Sequence, residues 1–563
     1  MKRTSTILAA LAGVSMLALA TGIARAERAL VRIAIMPDGA EVTGLSTNVL
    51  GDLFLNAQHP GGHDDLREGD QPATLGYIYG FDSTNMQSVG LSPVPENPAV
   101  AVNGGEYVVF GKAGEQLGSG EQLGGVYGPD GGLLYVSNAP DFNGFIPTGA
   151  NTAWLYTAWE GAGREGMGSM SKLSLSRVGG KWQADLSKSR MVDLRPVDGG
   201  HVLCSGTVTP WGTPLFAEEY FFYNTATWNH PDNHDEDERA SFQKGNDINY
   251  IKPKNVTRYL GRMGNPYRYG YMIEINHPAA ADGEMPVKHY ATGRLSHEVA
   301  AIMPDMRTVY MTDDDSAAYA DKRYNSASGG VLFKFVADRK GDLSAGTLFA
   351  AKLAQDAEAD PSKAGFDVEW LELGHGDDAE IAGWIAEYDG IEVADYVDGQ
   401  TNYISDDDIR AYVAGSAKDA RAAFLESRRT AAAMGATNEW DKLEGVTHHG
   451  SKVYVAASAL AFTMDKSWGH VDWSSGVKDE AEPGAIALNA EGCGATYVAE
   501  TGDDYNITRL DPFVVGRTQS DGSCDVALPA NPDNILALDD GTLLIGEDAG
   551  KKKHPHDMLW MVK

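Results

Sequence analysis

The segment Gly541-Thr542-Leu543-Leu544-Ile545 is a turn glycine followed by a short apolar run. Leucine, aromatic and β-branched residues arranged in this way are typical of a strand that half-buries its side chains. The same pattern returns at residues 51–55, 132–136, 307–311, 346–349 and 452–455. Such repetition favours an all-β fold, a single irregular β-propeller of about six blades, because radial repetition leaves few exposed strand edges. A pair of β-sandwiches is the alternative.

Two stretches depart from the strand pattern, the acidic, Ala-rich residues 351–360 and residues 406–434. In the second, Ile409, Tyr412, Val413 and Phe424 recur at an approximate three-to-four spacing, as on one face of a helix. We predict helices in both stretches and expect the second to pack across the propeller. No Pro- or Ser-rich linker interrupts the chain, so residues 27–563 are predicted to form one domain.

The chain is strongly acidic, with 46 Lys and Arg against 79 Asp and Glu and a formal charge of −33. Nucleic acids and anionic membranes bind proteins through neutralisation of their phosphates by Lys and Arg, so this balance argues against both as partners. A small anionic substrate remains compatible with the sequence. It would need bound cations or a local basic pocket to overcome the charge of the protein.

The N-terminus has the three parts of a secretory signal peptide, predicted here over residues 1–26. Lys2 and Arg3 precede an apolar stretch at 7–20, and Ala24-Arg25-Ala26 forms a small-x-small cleavage site. The apolar stretch is too short to span a membrane, and no later stretch is long and apolar enough to anchor the chain. We expect a soluble protein, periplasmic or secreted, without a membrane anchor and monomeric.

Three cysteines, Cys204, Cys493 and Cys524, are present. In an oxidising compartment Cys493 and Cys524 are the favoured pair, because both flank turn-rich sequence in one C-terminal stretch. Cys204 is then left over. A lone thiol in an exported protein is either buried and inert or used chemically, and the spacing of the cysteines leaves both open.

The densest polar chemistry surrounds Cys204, within residues 204–213 and the pair Glu218-Glu219. A thiolate, hydroxyls and carboxylates so close together offer both soft and hard ligands for a metal ion. The alternative is a turn with a buried cysteine and exposed acids.

Further candidate ligands follow in other parts of the chain. Glu298 ends the segment 293–298, which contains Arg294, and the next strand ends in Asp313-Asp314-Asp315. Carboxylates at the ends of propeller strands point into a common space, as calcium sites require, and an arginine can bind an anion bidentately. A solvated acidic turn is the alternative. Weaker clusters lie at 442–445, at 41–44 with 58–61, and at 531–534 with Glu547-Asp548.

Two other clusters are better explained without a metal. His230 opens an acidic stretch, 230–238, that we predict to be a solvated loop, and His448-His449 is predicted to be a packed or exposed pair. The chain contains no P-loop, GxSxG, HExxH, zinc-finger or dinucleotide-binding motif. These absences argue against ATP-dependent, NAD-dependent and serine-hydrolase functions.

Taken together, the clusters resemble the motifs of the PhoX-type alkaline phosphatases, exported β-propeller enzymes. The most specific similarity is Cys204, Thr209-Pro210-Trp211-Gly212-Thr213 and Glu218-Glu219. The other similar segments are 38–44 with 58–61, 293–298, 433–437 leading to Glu444, and 532–534. These segments span almost the whole chain after the predicted signal peptide.

The resemblance implies a closed propeller that holds an iron–calcium cluster (Fe³⁺ and Ca²⁺) on its axis and hydrolyses phosphate monoesters. It implies that Cys204 is the iron-ligating thiolate and that Glu298 and Glu444 are carboxylates shared by the cluster. The further ligands that it implies are Glu41, Glu219, Asp314 and Glu547. Arg294 or Lys442 would then bind a phosphate oxygen of the substrate.

The sequence also departs from that family. Lys442-Leu443-Glu444 stands where the phosphatases have Arg-Pro-Glu, and a lysine cannot reproduce the bidentate grip of a guanidinium. Residues 313–316 differ from the usual acidic turn, and the leader has Lys2-Arg3 in place of a twin arginine. The segment 38–44 opens the chain here, although it lies near the C-terminus in the phosphatases, which marks an apparently circularly shifted, divergent member. A related propeller hydrolase of another ester and a non-catalytic calcium-binding envelope protein therefore remain alternatives.

Overall fold

The computed structural model describes residues 28–91, 100–161, 166–219, 223–234, 253–315, 329–475 and 477–563. The predicted signal peptide, residues 235–238 of the acidic stretch and the segment after Asp315 lie outside the described residues. Within the described ranges, no helix is long and apolar enough to cross a membrane.

The strands of the first half of the chain form three four-stranded antiparallel blades. A first strand, β1 (Leu30–Ile35), precedes them. Blade 1 contains β2 (Glu41–Thr47), β3 (Leu53–Gln58), β4 (Thr74–Tyr79) and β6 (Glu106–Lys112), while the short β5 (Ala101–Val102) pairs with β1. After a hairpin of β7 (Gly125–Tyr127) and β8 (Leu133–Val136), blade 2 contains β9 (Pro140–Gly149), β10 (Thr152–Trp159), β11 (Ser169–Val178) and β12 (Lys181–Val192). Blade 3 contains β13 (Leu203–Val208), β14 (Pro214–Glu218), β15 (Met272–Asn276) and β16 (Met285–His289).

The second half forms three more blades. Blade 4 contains β17 (His297–Ile302), β18 (Thr308–Asp313), β19 (Phe333–Arg339) and β20 (Asp342–Gln355), with β21 (Phe366–Asp377) added outside it. Blade 5 contains β22 (Leu443–His449), β23 (Lys452–Ala457), β26 (Ala495–Glu500) and β27 (Arg509–Val515), with a side hairpin of β24 (His470–Val471) and β25 (Lys478–Asp479). Blade 6 contains β28 (Pro532–Ala537), β29 (Leu543–Glu547), β30 (Met558–Val562) and β1.

The ring is closed by both ends of the described chain, since β1 pairs antiparallel with β30 and Leu30 lies opposite Val562. The innermost strands of the blades, β2, β9, β13, β17, β22 and β28, contact one another in that order, and β28 contacts β2. This closed circuit is a six-bladed propeller, which confirms the predicted fold and excludes two separate sandwiches.

Helices occupy loops both within and between blades. They are α1 (Pro253–Leu260), α2 (Asp378–Ala386), α3 (Asp406–Val413), α4 (Arg421–Leu425), α5 (Ser427–Ala433) and α6 (Gly550–Lys553). The 3₁₀ turns are Arg195–Val197, Thr225–Asn229, Pro231–His234, Pro266–Arg268, Tyr290–Thr292, Val393–Asp395 and Phe462–Met464. The helices predicted within 406–434 are thus present as α3, α4 and α5. Ile381, Ile409 and Phe424 share one core with Leu215 and Phe333, so these helices pack against blades 3 and 4.

The predicted helix at 351–360 was wrong. Residues up to Gln355 belong to β20, which pairs with both β19 and β21, and residues 356–360 are irregular. Ala351 and Leu353 are buried whereas Lys352 is exposed, and this alternation is that of a strand. The helix-forming composition of the segment is overridden by pairing on both sides.

The cysteines are arranged as predicted. Cys493 and Cys524 form a disulfide with their Cα atoms 5.9 Å apart, and Cys204 is free and buried. The disulfide joins the start of blade 5's third strand to the segment that leads into β28.

Candidate metal centre

One potential ligand stands near the start of each innermost strand. These residues, here named the axial ring, are Glu41, Asp141, Cys204, Glu298, Glu444 and Asp533. Because the six strands start at the same end of the channel, their first residues converge on the propeller axis. The ring therefore draws on every blade.

A β-bulge accompanies the ring residue in five of these strands. In blade 3, Leu203 lies opposite Glu218 and Gly206 lies opposite Phe216, so Cys204 and Ser205 together face a single residue. The register shifts at the equivalent place in blades 2, 4, 5 and 6, whereas in blade 1 the bulge comprises Gly44 and Leu45, three residues beyond Glu41. A bulge bends the strand and re-aims its side chains, which is how strand residues can point along a channel instead of into the cores between blades.

Glycines beside the ring allow the strands to approach closely. A Cβ atom on Gly445 would lie 2.4 Å from the carbonyl oxygen of Asp533. Gly44 has a φ of +63°, and its Cβ would lie 2.7 Å from the carbonyl oxygen of Asp141. Only glycine fits at either position without displacing a neighbouring blade.

The ring lines a cavity of about 240 Å³, here named the front cavity. Nine carboxylates, one thiol and one lysine are among its lining residues. The full lining is Glu41, Gln58, His59, Asp64, Asp141, Glu160, Val202, Cys204, Glu219, Glu298, Lys442, Glu444, Asp533 and Asp548.

Three overlapping groups of side chains could each hold a metal ion. They are Asp141 with Glu160 and Cys204, Cys204 with Glu219 and Glu298, and Glu298 with Glu444 and Asp533, and the ligand atoms of each group lie within 4.8 Å of one another. The Cys204 Sγ atom is 3.2 Å from Glu298 Oε1 and 3.5 Å from Asp141 Oδ2. Since Cys204 and Glu298 each belong to two groups, ions held by the groups would be neighbours joined by shared ligands.

The electrostatics of the ring require positive charge. Burial, followed by repulsion from neighbouring acids, raises the pKa of Cys204 and of Glu298 well above their usual ranges. Burial likewise raises the pKa of Asp141 to about 6 and that of Glu444 to about 8. So many buried acids cannot all ionise together without compensating cations.

Unsatisfied oxygen atoms support the same conclusion. Asp314 Oδ1 and Gln58 Oε1 are buried and have no hydrogen-bond partner within the described residues. Carboxylate and amide oxygens suit calcium, and a thiolate beside carboxylates suits a softer transition metal. The residues present therefore fit a cluster of cations.

Asn534 holds the floor of the ring together. Its Oδ1 atom accepts hydrogen bonds from the Gly44 amide at 3.1 Å and from the Ser205 hydroxyl at 3.3 Å. Its amide nitrogen donates to Asp141 Oδ1 at 3.4 Å. One buried side chain of blade 6 thus links blades 1, 2 and 3 directly below the potential ligands.

Most of the residues singled out from the sequence meet in the front cavity. Cys204, Glu219, Glu298, Glu444, Glu41 and Lys442 all line it. Asp314 is buried beside it, with Oδ2 at 3.4 Å from the Lys442 ammonium. The Lys442 ammonium also lies 2.7 Å from Glu444 Oε1.

Two predicted site residues are placed elsewhere. Glu547 is buried behind the ring, where it accepts hydrogen bonds from the Trp560 indole at 2.6 Å and from two backbone amides, with His554 Nδ1 at 3.0 Å. Arg294 is buried against Tyr267 and donates to the Tyr269 carbonyl at 3.2 Å. Neither is among the described residues that line the cavity, so their predicted roles as ligand and phosphate-binding residue do not fit this placement.

Several residues of the site were missed from the sequence. Asp533 and Asp548 lay in segments noted above but were not chosen, whereas Asp141, Glu160 and Asp64 gave no recognised signal. The sequence does contain one pattern that points to Asp141: a Pro-Asp pair begins β9 (Pro140-Asp141), and the same pair begins β28 (Pro532-Asp533). Comparing the starts of equivalent strands would have found it.

The described parts of the two segments set aside as non-metal sites, residues 230–234 and His448-His449, are ordinary parts of the fold. Residues Pro231–His234 form a 3₁₀ turn in which Asn233 is buried, so this part of the predicted solvated loop is more ordered than expected. His448 and His449 lie at the end of β22, the first with a pKa that burial lowers.

Comparison with solved structures gives matches of low similarity. An oxidoreductase of Thermus thermophilus described as a glucose dehydrogenase has a TM-score of 0.34 and 7% identity, covering 95% of this chain and 100% of its own. The calcium structure of a carbohydrate-active enzyme of family AA12 from Trichoderma reesei has a TM-score of 0.36 and 9% identity, covering 95% of each chain. Another glucose dehydrogenase has a TM-score of 0.37 and 9% identity, covering 95% and 99%. The fold assignment therefore depends on the strand pairing of this chain.

No curated protein matches the chain. The family described as alkaline phosphatase PhoX matches it over residues 178–561. These residues include blades 3 to 5 and the part of blade 6 formed by β28, β29 and most of β30, and with them Cys204, Glu298, Glu444 and Asp533 of the axial ring. Because the match covers most of the chain, the protein belongs to the PhoX alkaline phosphatase family.

Proposed function

We propose that this protein is a metal-dependent phosphatase that hydrolyses phosphate monoesters in the front cavity. The observation that carries the proposal is the axial ring, a set of carboxylates around one thiol to which every blade contributes and of which all but the half-buried Glu41 are buried. A phosphate group could not enter so acidic a cavity unless cations were bound there. Membership of the PhoX family supports phosphate esters as the substrate class.

The donor chemistry suggests how cations would be divided. The all-oxygen group of Glu298, Glu444 and Asp533 suits Ca²⁺, whereas the two groups that contain Cys204 suit iron, Fe³⁺ in the proposal. Cations held in these groups would neutralise the phosphate and stabilise the charge that develops on the leaving oxygen.

Lys442 is the residue that we assign to the substrate. Its backbone has a φ of +53° and is fixed on both sides, because its amide donates to the Asp315 carbonyl at 3.0 Å and its carbonyl accepts from Ser458 at 2.9 Å. This places the ammonium in the cavity wall, about one-third exposed, with Asp314 and Glu444 holding it. In this position an ammonium binds one phosphate oxygen as a point charge, whereas the guanidinium of an arginine would bind two phosphate oxygens.

We also propose that the protein is exported and acts as a soluble monomer, in the periplasm or outside the cell. The Cys493–Cys524 disulfide supports an oxidising compartment. The acidic composition supports a small phosphorylated molecule as the partner, not a nucleic acid or an anionic membrane.

The test is hydrolysis of p-nitrophenyl phosphate by protein purified from an exporting host, before and after calcium chelation. We expect turnover that the chelator abolishes and that added calcium restores. Metal analysis of the wild type and of Cys204→Ser is run in parallel, and iron should be lost from the variant. The absence of turnover in metal-replete protein would overturn the proposal and favour a calcium-binding propeller without catalysis.

A further inference from the structure

A second cavity occupies the other half of the propeller channel, on the far side of the axial ring. Its volume is about 270 Å³, and all six innermost strands contribute to its wall. Here it is named the rear cavity. At its floor lie Glu298 and Asn534, both buried, and at its mouth lie Thr47 and Pro210, both exposed. It is therefore a pocket that opens on the face opposite to the mouth of the front cavity.

The rear cavity has almost no charge. Glu298 is the one acidic side chain in its described lining, and no lysine or arginine is present there. His448 contributes an imidazole whose pKa is lowered by burial, so it is neutral at neutral pH. An anion such as phosphate would be repelled by the Glu298 carboxylate, because no basic side chain in the described lining offsets it. An organic cation could pair only with Glu298, which already belongs to the axial ring.

The wall nevertheless offers many hydrogen-bonding groups. Each innermost strand is the edge strand of its blade, so one side of its backbone has no partner strand and faces the channel. The hydroxyls of Ser46, Thr207 and Thr447 add to these groups, and Ser46 Oγ is buried without a hydrogen-bond partner among the described residues. Buried donors and acceptors of this kind need partners of both types.

Apolar carbon fills the spaces between these groups. Val299, Val446 and Ile535 line the cavity near its floor. A ligand that suits the wall must therefore be uncharged, must both donate and accept hydrogen bonds, and must present carbon–hydrogen surface between its polar groups. A small polyol combines these properties, because each hydroxyl is donor and acceptor and the carbon skeleton packs against apolar side chains.

We propose that the rear cavity is a binding site for a small uncharged polyol. The site is separate from the front cavity, because Glu298 is the one described residue that lines both cavities, whereas Asn534 and Ser205 line the rear cavity alone. The proposal does not depend on phosphatase activity.

The test is saturation-transfer NMR on the calcium-loaded full-length protein, with myo-inositol and glycerol as probes. We expect signals from both probes in the wild type. Thr207→Trp fills the cavity and should reduce the myo-inositol signal at least about fivefold, because the space that admits the ring is removed. Val178→Trp is the matched control, since Val178 is 57% exposed at a turn on the outer edge of blade 2. The myo-inositol signal from this variant should equal that from the wild type.

Circular dichroism and thermal melting establish that each variant is folded. If Thr207→Trp does not fold, Ser46→Ala, which removes the unpartnered hydroxyl, takes its place and should weaken the signal. The proposal is overturned if neither probe binds the wild type, which would leave the cavity to solvent. It is also overturned if binding survives Thr207→Trp and disappears on chelation, because the polyol would then be bound to cations in the front cavity.

Discussion

At the scale of single residues, the site depends on where the backbone places a few side chains. Lys442 precedes Glu444 by two positions, yet its ammonium and the Glu444 carboxylate lie 2.7 Å apart because Lys442 has a left-handed backbone and Glu444 lies in a bulge. Arg294 also lies close to a ring residue in sequence, but its side chain is buried among aromatic residues. The resemblance named both as phosphate-binding candidates. Only the fold separates the one that lines the cavity from the one that does not.

Lys442→Met should lower kcat/KM for p-nitrophenyl phosphate by about 100-fold, since one charged donor to the phosphate is removed. Lys442→Arg should retain most of the activity or exceed it, because a guanidinium can bind two phosphate oxygens. Steady-state kinetics in calcium-replete buffer measure both. Lys466→Met, on an exposed loop of blade 5, is the control and should behave as the wild type. Equal activity of Lys442→Met and wild type would exclude Lys442 from substrate binding.

At the scale of elements, strands were predicted well and the features between them were not. Short apolar runs such as 452–455 became strands because burial on both faces of a blade selects such residues. The segment 351–360 was misassigned, since its composition favours a helix while its burial alternates. The bulges that aim the ring residues leave no pattern of composition. They are set by the close approach of neighbouring blades, and only glycines such as Gly445 hint at them.

The helical insertion is joined to blade 3 by a buried histidine, and this contact should depend on pH. His289, at the end of β16, lies with Nε2 at 2.8 Å from Glu274 Oε2 and Nδ1 at 3.1 Å from Asp378 Oδ2 in α2. Burial alone would lower the pKa of His289, but the two carboxylates raise it to about 9 from an unfolded value of 6.5. The stabilisation is therefore complete below pH 6.5 and is lost as the pH rises through 9.

The free energy of unfolding should fall on His289→Gln by more at pH 6 than at pH 9.5, the difference being up to about 3 kcal/mol. Urea unfolding at both pH values measures it. His375→Gln serves as the control, since His375 also faces a carboxylate, that of Asp338, but is 56% exposed. If His289→Gln lowers the free energy of unfolding by the same amount at both pH values, the imidazole is neutral in the folded protein and the prediction is wrong.

At the scale of the whole molecule, the axial ring is both a site and a constraint on the fold. Each blade brings an acid or a thiol to the same axis, and burial raises the pKa of all six. In the absence of cations, protons must take their place, and an acid whose folded pKa is raised destabilises the folded state as the pH rises above its unfolded value. The propeller should therefore depend on cations for stability, most of all at alkaline pH.

Removal of bound cations should lower the melting temperature by about 10 °C at pH 8, because each tightly bound ion contributes several kcal/mol to the folded state. The metal-free protein should melt at a higher temperature at pH 5 than at pH 8, since protons then neutralise groups such as Asp141 and Glu444, with pKa values of about 6 and 8. Differential scanning calorimetry of dialysed and calcium-loaded protein measures both effects. A melting temperature that changes neither on removal of calcium nor between pH 5 and pH 8 would contradict the stabilisation of the ring by cations.

The pairing of β1 with β30 has a consequence for the order in which the protein matures. Glu41 is supplied by the start of the chain and Asp533 by its end, and blade 6 is incomplete until residues 558–562 meet residues 30–35. A nascent chain whose β30 has not yet left the ribosome cannot complete blade 6, however well its early blades have folded. The six ring positions can therefore meet only after β30 has been synthesised, so any cation that binds to all of them would bind late in folding, in whichever compartment blade 6 closes.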